Sequence, residues 1–251
     1  MKITGNTILL TGASSGIGRA LAEALHVCGN RVIIAGRRKA LLDEIAAIRP
    51  GLVAMQLDVD DPASLSQLAA NLRDRFPELN VIFANAGISR AEDMASDDWT
   101  AADAEAIVQT NILGVVRVAA ALLPLIKGKP DAAFLATSSA LAFVPRADFP
   151  AYCASKAFLH SWLQSLRHQL RRFPVEVLEI SPPYVQTTLT GVQQAHDARA
   201  MPLNDYVAEV LGKLEAGDTP HGELLLERDS PRRWAERDGR FDAIFSVQNP
   251  G

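Results

Sequence analysis

The stretch TILLTGASSGIG, residues 7–18, decides the fold. Its first four residues, Thr7 to Leu10, form the uninterrupted run that is typical of a strand buried on both faces. A glycine-rich turn follows, and apolar side chains then recur at helical spacing from Ile17 to Cys28. Glycines in such a turn let backbone N–H groups approach a pyrophosphate at the helix N-terminus. The order strand, turn, helix therefore predicts a dinucleotide-binding unit, whereas the glycines alone would also fit a turn without a ligand.

The rest of the chain alternates short apolar runs with helical segments. This alternation predicts an α/β fold, a single-domain Rossmann fold over residues 1–251 with a doubly wound parallel sheet of about seven strands. The predicted strands cover residues 7–10, 31–35, 52–57, 81–84, 132–137, 175–180 and 223–227. The predicted helices cover residues 17–28, 39–48, 62–72, 103–123, 152–172 and 204–215. We expect a polar substrate loop over about 186–204 and an irregular C-terminal tail over about 228–251.

Composition and charge exclude several classes of protein. The 251 residues are 48% hydrophobic and carry 29 acidic against 25 basic side chains, which is unlike a disordered or collagen-like chain. The net charge of −4 argues against nucleic acid as a partner. The most apolar stretch, 112–126, is too short for a bilayer and contains Arg117, so we expect a buried helix and no membrane contact. With no secretory pattern at the N-terminus, a cytoplasmic protein with two reduced cysteines is expected.

Polar motifs follow the later strands, where doubly wound folds place their ligands. They are Asn85-Ala86-Gly87, the pair Asn111 and Gly114, Ser139, and the pair Tyr152 and Lys156. Tyr152 and Lys156 are four residues apart, so they lie on one helix face. The lysine ammonium is expected to lower the tyrosine pKa by favouring the phenolate. Such a pair alone is also common on solvated helices, but Ser139 at a strand end favours a reactive site.

Together these motifs resemble the short-chain dehydrogenase/reductase family, in its branch with subunits of about this length. The spacing of Gly12, Gly16 and Gly18 is that of the family, and Ala84 replaces the first residue of its Asn-Asn-Ala-Gly motif. Residues 5–12 and 181–185 are most similar to a bacterial subgroup labelled DltE-like oxidoreductases. The resemblance implies an oxidoreductase that moves a hydride between a nicotinamide cofactor and a small-molecule carbonyl or secondary alcohol.

The resemblance also implies a role for each candidate catalytic residue. Tyr152 would be the general acid in carbonyl reduction and the base in alcohol oxidation. Ser139 would hydrogen-bond the substrate oxygen, with Ser138 as an adjacent alternative, since only one of two neighbouring strand residues can face the site. Lys156 would hold the nicotinamide ribose, and Asn111 would anchor a water in a proton relay. No metal is expected. His160 is interpreted as a packing or surface histidine, and Cys153 is not expected to be a nucleophile because it points elsewhere on the helix and lacks a partner.

NADP is the expected cofactor, with NAD as the alternative. Where the family uses an acidic residue to bind the NAD ribose, this chain has Gly36 followed by Arg37 and Arg38, whose guanidinium groups suit a 2′-phosphate. Solvated loop charges are the simpler interpretation of these arginines, and Ser15 stands where many NADP-preferring members are basic. The residues that we expect to contact the cofactor are Gly12, Ser14, Ser15, Gly16, Ile17, Gly18, Arg37, Arg38, Asp58, Val59, Asn85, Ala86, Gly87, Tyr152, Lys156, Pro182, Val185 and Thr187.

Two other functions compete with this hypothesis. A regulatory protein that senses the cofactor on the same fold characteristically lacks the Tyr–Lys pair or the serine, and this chain has all three. The longer sugar-nucleotide epimerase and dehydratase branch is disfavoured by length and glycine spacing. Pro183, where the family has glycine, raises doubt about the backbone near the nicotinamide. A homodimer or homotetramer is expected by analogy only.

Overall fold

Seven parallel strands form one central sheet in the order β3-β2-β1-β4-β5-β6-β7. The computed structural model describes residues 1–250. The strands are β1 (Thr7–Thr11), β2 (Arg31–Gly36), β3 (Val53–Gln56), β4 (Val81–Ala84), β5 (Ala132–Thr137), β6 (Val175–Ser181) and β7 (Glu223–Leu225). The order reverses between β1 and β4, which is where doubly wound folds open a ligand crevice. The predicted fold class is confirmed.

Helices cover both faces of the sheet and bury its two sets of alternating apolar side chains. On one face lie α1 (Gly16–Val27), α2 (Lys39–Ile48) and α7 (Leu203–Ala216). On the other face lie α3 (Pro62–Arg75), α5 (Gly114–Ile126) and α6 (Pro150–Leu170). Three shorter helices complete the chain: α4 (Ala102–Ile107), α8 (Ser230–Arg233) and α9 (Phe241–Gln248). Since both faces are covered, ligands can approach the sheet only at its edges and ends.

The long helix expected at 103–123 is extended at both ends and contains a π-helical turn. It runs from Ala102 to Ile126 and is regular except over Val108–Leu113, where the π-helical turn lies. At 25 residues it is long and apolar enough to cross a membrane, so the prediction that this segment is too short is wrong. Half of its most apolar window is buried, however, and Leu122 and Ile126 are fully enclosed in the core beneath the sheet. A helix in the core of a soluble protein meets the same criteria of length and composition as a helix that crosses a membrane.

The C-terminal tail also differs from the expectation, because it is helical rather than irregular. Pro231 lies in the first turn of α8, a position that proline favours, and the rings of Phe241 and Phe245 stack at 5.9 Å in α9. Gln248 Nε2 donates to the carbonyl of Val144 at 2.9 Å, which fastens α9 to the loop after β5. Both helices are too short to show a clear period in the sequence.

The turn between β1 and α1 requires glycine because other backbone atoms lie against it. Gly12 has φ +71°, and a Cβ there would lie 2.7 Å from the Cα of Ala86. At Gly18 a Cβ would lie 2.4 Å from Asn85 Nδ2 and 2.5 Å from the carbonyl oxygen of Gly12. These contacts are too short for any side chain, so the turn and the end of β4 fit together only through glycine.

We expect Gly12→Ala to lower the free energy of unfolding by at least about 2 kcal/mol, because it adds both backbone strain and a collision with backbone. The matched control is Gly212→Ala, in exposed helical backbone with no atom within 4 Å of the added Cβ. That change should stabilise the protein by up to about 1 kcal/mol. Urea unfolding measures both, and equal effects of the two substitutions would contradict this account of the turn.

Candidate active site

A groove of about 450 Å³ follows the carboxyl ends of the strands, and we call it the sheet-edge groove. It runs from Arg37 and Arg38 at one end to Tyr152 and Lys156 at the other. Nearly all the residues expected at the site line it, including the β1–α1 turn, Asn85-Ala86-Gly87, Val59, Ser139, Pro182, Val185 and Thr187. Of the expected set, only Asp58 and Asn111 are not part of its lining.

Asn85 connects the ends of three neighbouring strands at the centre of the groove. Its Nδ2 donates to the carbonyl of Thr11 in β1 at 3.1 Å, and its Oδ1 accepts from the Thr137 hydroxyl in β5 at 3.1 Å. The Thr11 hydroxyl in turn accepts from the backbone N–H groups of Asn85 and Ala86 at 3.0 and 3.1 Å. Thr11 and Thr137 were missed by sequence reasoning, although both are threonines that end buried apolar runs.

Lys156 is buried and points at the backbone of β5. Its Nζ donates to the carbonyl of Thr137 at 2.8 Å and lies 5.6 Å from the centre of the Tyr152 ring. Burial lowers the pKa of Lys156 to about 8, although the nearby Glu179 carboxylate opposes the shift. The ammonium is therefore more acidic than that of an ordinary lysine, yet it stays charged at neutral pH.

The pKa of Tyr152 is raised to about 12, opposite to the expected direction. Burial of the phenol raises it, and the Ser139 side chain lowers it only in part. Lys156 does not bring the pKa down, because its ammonium is directed at Thr137. The prediction of a lowered tyrosine pKa is therefore wrong for the protein groups alone, and the hydroxyl is protonated at neutral pH.

The two neighbouring serines are directed to different partners. The Ser139 hydroxyl accepts from the N–H of Leu141 at 3.1 Å, which leaves its own proton for another acceptor. The Ser138 hydroxyl instead donates to Oε1 of Glu179 at 2.5 Å, beneath the sheet edge. The alternation along the strand thus directs Ser138 to Glu179 and places the Ser139 hydroxyl within hydrogen-bond reach of Tyr152.

Asn111 lies in the π-helical turn and is fully buried. Its Oδ1 accepts from the N–H of Ile88, and its Nδ2 donates to the carbonyl of Ile88 and to the Ser155 hydroxyl. The carboxamide thereby fixes the chain after β4 to helix α6. Gly114, the other part of this motif, is needed because a Cβ there would lie 2.9 Å from Val59 Cγ2.

Arg38 is held against the β1–α1 turn at one end of the groove. Its Nη2 donates to the hydroxyls of Ser14 at 2.6 Å and Ser15 at 2.7 Å. A guanidinium therefore lies beside Ser15, the position at which many NADP-preferring members of the family that the chain resembles carry a basic residue. Asp58 is turned away: β3 ends at Gln56, and the Asp58 carboxylate accepts from the backbone N–H of Asp60 at 3.0 Å.

Glu179 is a buried carboxylate that sequence reasoning missed. Besides Ser138, it accepts from His160 Nδ1 at 2.8 Å, so His160 is a partner of this carboxylate. Glu179, His160 and Glu223 have ligand atoms within 4.8 Å of one another, close enough for a metal ion, but Glu223 is held by both Nε and Nη2 of Arg233. These partners fit an ion-pair network without a metal. The signal in the sequence was a glutamate at an inward position of the buried run VEVLEIS, residues 175–181.

A second cavity, of about 480 Å³, opens beside the sheet-edge groove, and we call it the rim cavity. Ser139, Tyr152, Pro182 and Pro183 line both spaces. Its far side is formed by residues of the 186–204 loop and of the C-terminal tail. Ser139 and Tyr152 therefore lie where the two cavities meet.

Comparison with known proteins agrees with this geometry. The model of the short chain dehydrogenase family matches residues 6–198. The chain belongs to the short-chain dehydrogenase family. It is 38% identical, over 99% of its length and 98% of the relative's, to a Bacillus subtilis protein named uncharacterized oxidoreductase DltE. Membership makes it an NAD(P)-dependent dehydrogenase or reductase.

Other relatives are more distant. The NADP-dependent 3-hydroxy acid dehydrogenase of Schizosaccharomyces pombe is 29% identical over 76% of each chain. Among solved structures, a short chain dehydrogenase from Burkholderia cenocepacia superposes with a TM-score of 0.83 over 99% of both chains at 24% identity. A short-chain dehydrogenase from Sphingobium yanoikuyae in complex with NADPH gives a TM-score of 0.79 at 26% identity, covering 96% of this chain and 95% of that one.

We expect Glu179→Ala to lower the free energy of unfolding by about 3 kcal/mol, because it leaves buried hydroxyls and an imidazole without their acceptor. Glu176→Ala is the control on the same strand, since Glu176 pairs with the N-terminal amine on the surface. Its effect should stay within about 1 kcal/mol. Chemical denaturation of both variants checks this, and a Glu179 variant as stable as the control would contradict the role given to the network.

Proposed function

We propose that the protein is an NADP-dependent oxidoreductase that interconverts a carbonyl and a secondary alcohol, with Ser139, Tyr152 and Lys156 as its catalytic residues. The main support for this proposal is the position of Ser139 and Tyr152, which line both the sheet-edge groove and the rim cavity. A cofactor in the groove and a substrate in the rim cavity would meet at these two side chains.

The sheet-edge groove fits a nicotinamide dinucleotide in its shape and its charge. Glycines 12 and 18 hold the β1–α1 turn close to the end of β4, so the backbone at the start of α1 faces the groove. Arg38 supplies a cation at one end, and Lys156 supplies one at the other. When bound there, the cofactor supplies the hydride in reduction and accepts it in oxidation.

In carbonyl reduction Ser139 and Tyr152 act on the substrate oxygen. The Ser139 hydroxyl, which accepts from the N–H of Leu141, donates its proton to the carbonyl oxygen and stabilises the negative charge that develops there. Tyr152, with a pKa near 12, holds its proton at neutral pH and gives it to the same oxygen as the alcohol forms. In the reverse direction Tyr152 must first lose this proton.

Lys156 and Asn111 support the tyrosine. With one N–H on Thr137, the Lys156 ammonium keeps two donors, which we assign to the ribose hydroxyls of the cofactor. Both Nδ2 protons of Asn111 are used on Ile88 and Ser155, so only an oxygen of this residue can hold the relay water, as a hydrogen-bond acceptor. Asn111 is thus proposed to position the wall of the site as well as to hold that water.

Tyr152→Phe should reduce turnover of carbonyl substrates by about 10²- to 10⁴-fold, because the proton donor is removed while the ring remains. The affinity for NADPH should stay unchanged. The assay is NADPH absorbance over a carbonyl panel, with the exposed residue of the same helix, Ser161→Ala, as the control. Turnover that survives in the Tyr152 variant would refute the mechanism. A wild-type protein that binds NADPH but reduces nothing would favour the cofactor-sensing regulator.

The preference for NADP rests on the end of the groove beyond β2. Gly36 offers no carboxylate to a ribose, and the Arg38 guanidinium is fixed there by Ser14 and Ser15. Arg37 lines the same end and lies 3.8 Å from Asp60. A 2′-phosphate would find a charge-assisted partner in this fork. The relatives are mixed: one is named as NADP-dependent, while a reductase from Brucella melitensis at 25% identity was solved with NADH.

NADPH should bind at least about tenfold more tightly than NADH, a difference of roughly 1.4 kcal/mol. Arg38→Leu should remove most of this difference by weakening NADPH, with NADH unaffected. The control for loss of a positive charge is Arg73→Leu, because Arg73 is an exposed residue of α3. Calorimetry with both cofactors gives the four affinities, and equal or reversed affinities in the wild-type protein would contradict the assignment.

The assembly and cellular location of the protein are also proposals. The outer surface of the two long helical segments exposes Val108, Leu113 and Phe158 by about two fifths each. Such side chains suit a contact with a second copy of the chain, in line with the expected homodimer or homotetramer. A cytoplasmic location, with no nucleic acid or membrane partner, is proposed on the sequence argument alone.

A further inference from the structure

Four arginines from three separate segments line the rim cavity. Arg146 belongs to the loop after β5, Arg199 to the loop between β6 and α7, and Arg228 and Arg232 to the C-terminal tail. The same cavity reaches Ser139 and Tyr152. Residues distant in the sequence thus place positive charge in the space that adjoins the reactive side chains.

The carboxylates around the cavity do not balance these cations. Three ion pairs are present: Arg146–Asp148, Arg199–Asp197 and Arg232–Asp229. Among residues 1–250, Arg228 makes no salt bridge. Four guanidinium groups therefore face three carboxylates, and the walls of a cavity concentrate the field of the surplus charge.

The paired arginines also keep N–H donors available. Arg232 is held by Nε on Gln248 at 2.9 Å and by Nη1 on Asp229 at 2.8 Å, which leaves Nη2 without an acceptor within the described chain. Arg199 uses Nε and Nη2 on Asp197 and keeps Nη1. A guanidinium fixed in this way presents its remaining donors in a set direction, which suits an oxygen anion.

Tyr184 and Asp229 also line the rim cavity, and each is close to two of its arginines. Burial and the Asp197 carboxylate raise the pKa of Tyr184, while Arg199 and Arg146 both lower it, so both guanidiniums lie near this hydroxyl. Burial raises the pKa of Asp229, and Arg232 and Arg228 oppose the shift, so these two guanidiniums lie near its carboxylate. Two pairs of arginines therefore lie around the cavity whose inner end is Tyr152.

We propose that the substrate is an anion: a carbonyl or secondary alcohol compound that also carries a carboxylate or phosphate group, bound by the arginines of the rim cavity. This inference rests on the proposed function and names its substrate class. The hydride and proton add across the carbonyl as before, and the anionic group is unchanged by the reaction. The anionic group places the reacting carbon at Tyr152 and neutralises the surplus positive charge of the arginines.

The test compares straight-chain keto acids of increasing length with their methyl esters, with NADPH as the reductant. We expect the best acid to exceed its ester at least tenfold in kcat/KM. Arg228→Gln should raise the KM of that acid by about tenfold or more, with the ester and the NADPH affinity unaffected. The matched control is Arg172→Gln, an exposed arginine outside the cavity, which should change neither. Esters reduced as well as acids would overturn the anionic substrate while supporting the oxidoreductase.

A binding measurement decides the inference if no keto compound is reduced, an outcome that counts against the proposed function. Succinate and inorganic phosphate are titrated calorimetrically into the protein saturated with NADP+, for the wild type and the Arg228→Gln variant. Binding of either anion that is lost in the variant and kept in Arg172→Gln supports the anion site. Absence of binding by both anions, or binding that is equal in the two variants, overturns it.

Discussion

The hydrogen bonds of the Asn85 carboxamide are the constraint on which the rest of the site depends. Because this side chain joins Thr11 and Thr137, the carboxyl ends of β1, β4 and β5 are held at one spacing. The same constraint explains why Gly18 cannot carry a side chain, since Asn85 Nδ2 occupies that space. Lys156 is attached to the backbone of Thr137, so helix α6 is positioned by the strand that Asn85 binds. The side chains of the protein itself therefore define the shape of the groove.

Burial then determines the chemistry of the reacting groups. Both Tyr152 and Lys156 are enclosed, and loss of water disfavours the charged form of each, so the pKa of the tyrosine rises while that of the lysine falls. At neutral pH this leaves a neutral phenol beside a charged ammonium. A protonated tyrosine is the state that carbonyl reduction needs, whereas alcohol oxidation must first remove the proton.

The sequence predicted those features that depend on residues close together in the chain. The glycine turn and the parallel strands follow from spacing along the chain, whereas Ser139, Tyr152 and Lys156 were singled out with the help of the family resemblance. The structure places all three side chains in one groove with the turn. The contacts of Thr137, Glu179 and Arg38 depend on residues far apart in the sequence, so spacing could not reveal them. The direction of the Tyr152 shift was also missed, since it depends on how deeply the ring is buried and on where the neighbouring ammonium points. The helices of the tail are too short to leave a readable period.

A crystal structure of the protein with NADP+ tests the proposed site most directly. The quantity to measure is the distance between Lys156 Nζ and the nicotinamide ribose hydroxyls. We expect a hydrogen-bond distance of about 3 Å, with the nicotinamide beside Tyr152 and Ser139 where the two cavities meet. A ribose beyond the reach of Lys156, with the nicotinamide outside that junction, would contradict it.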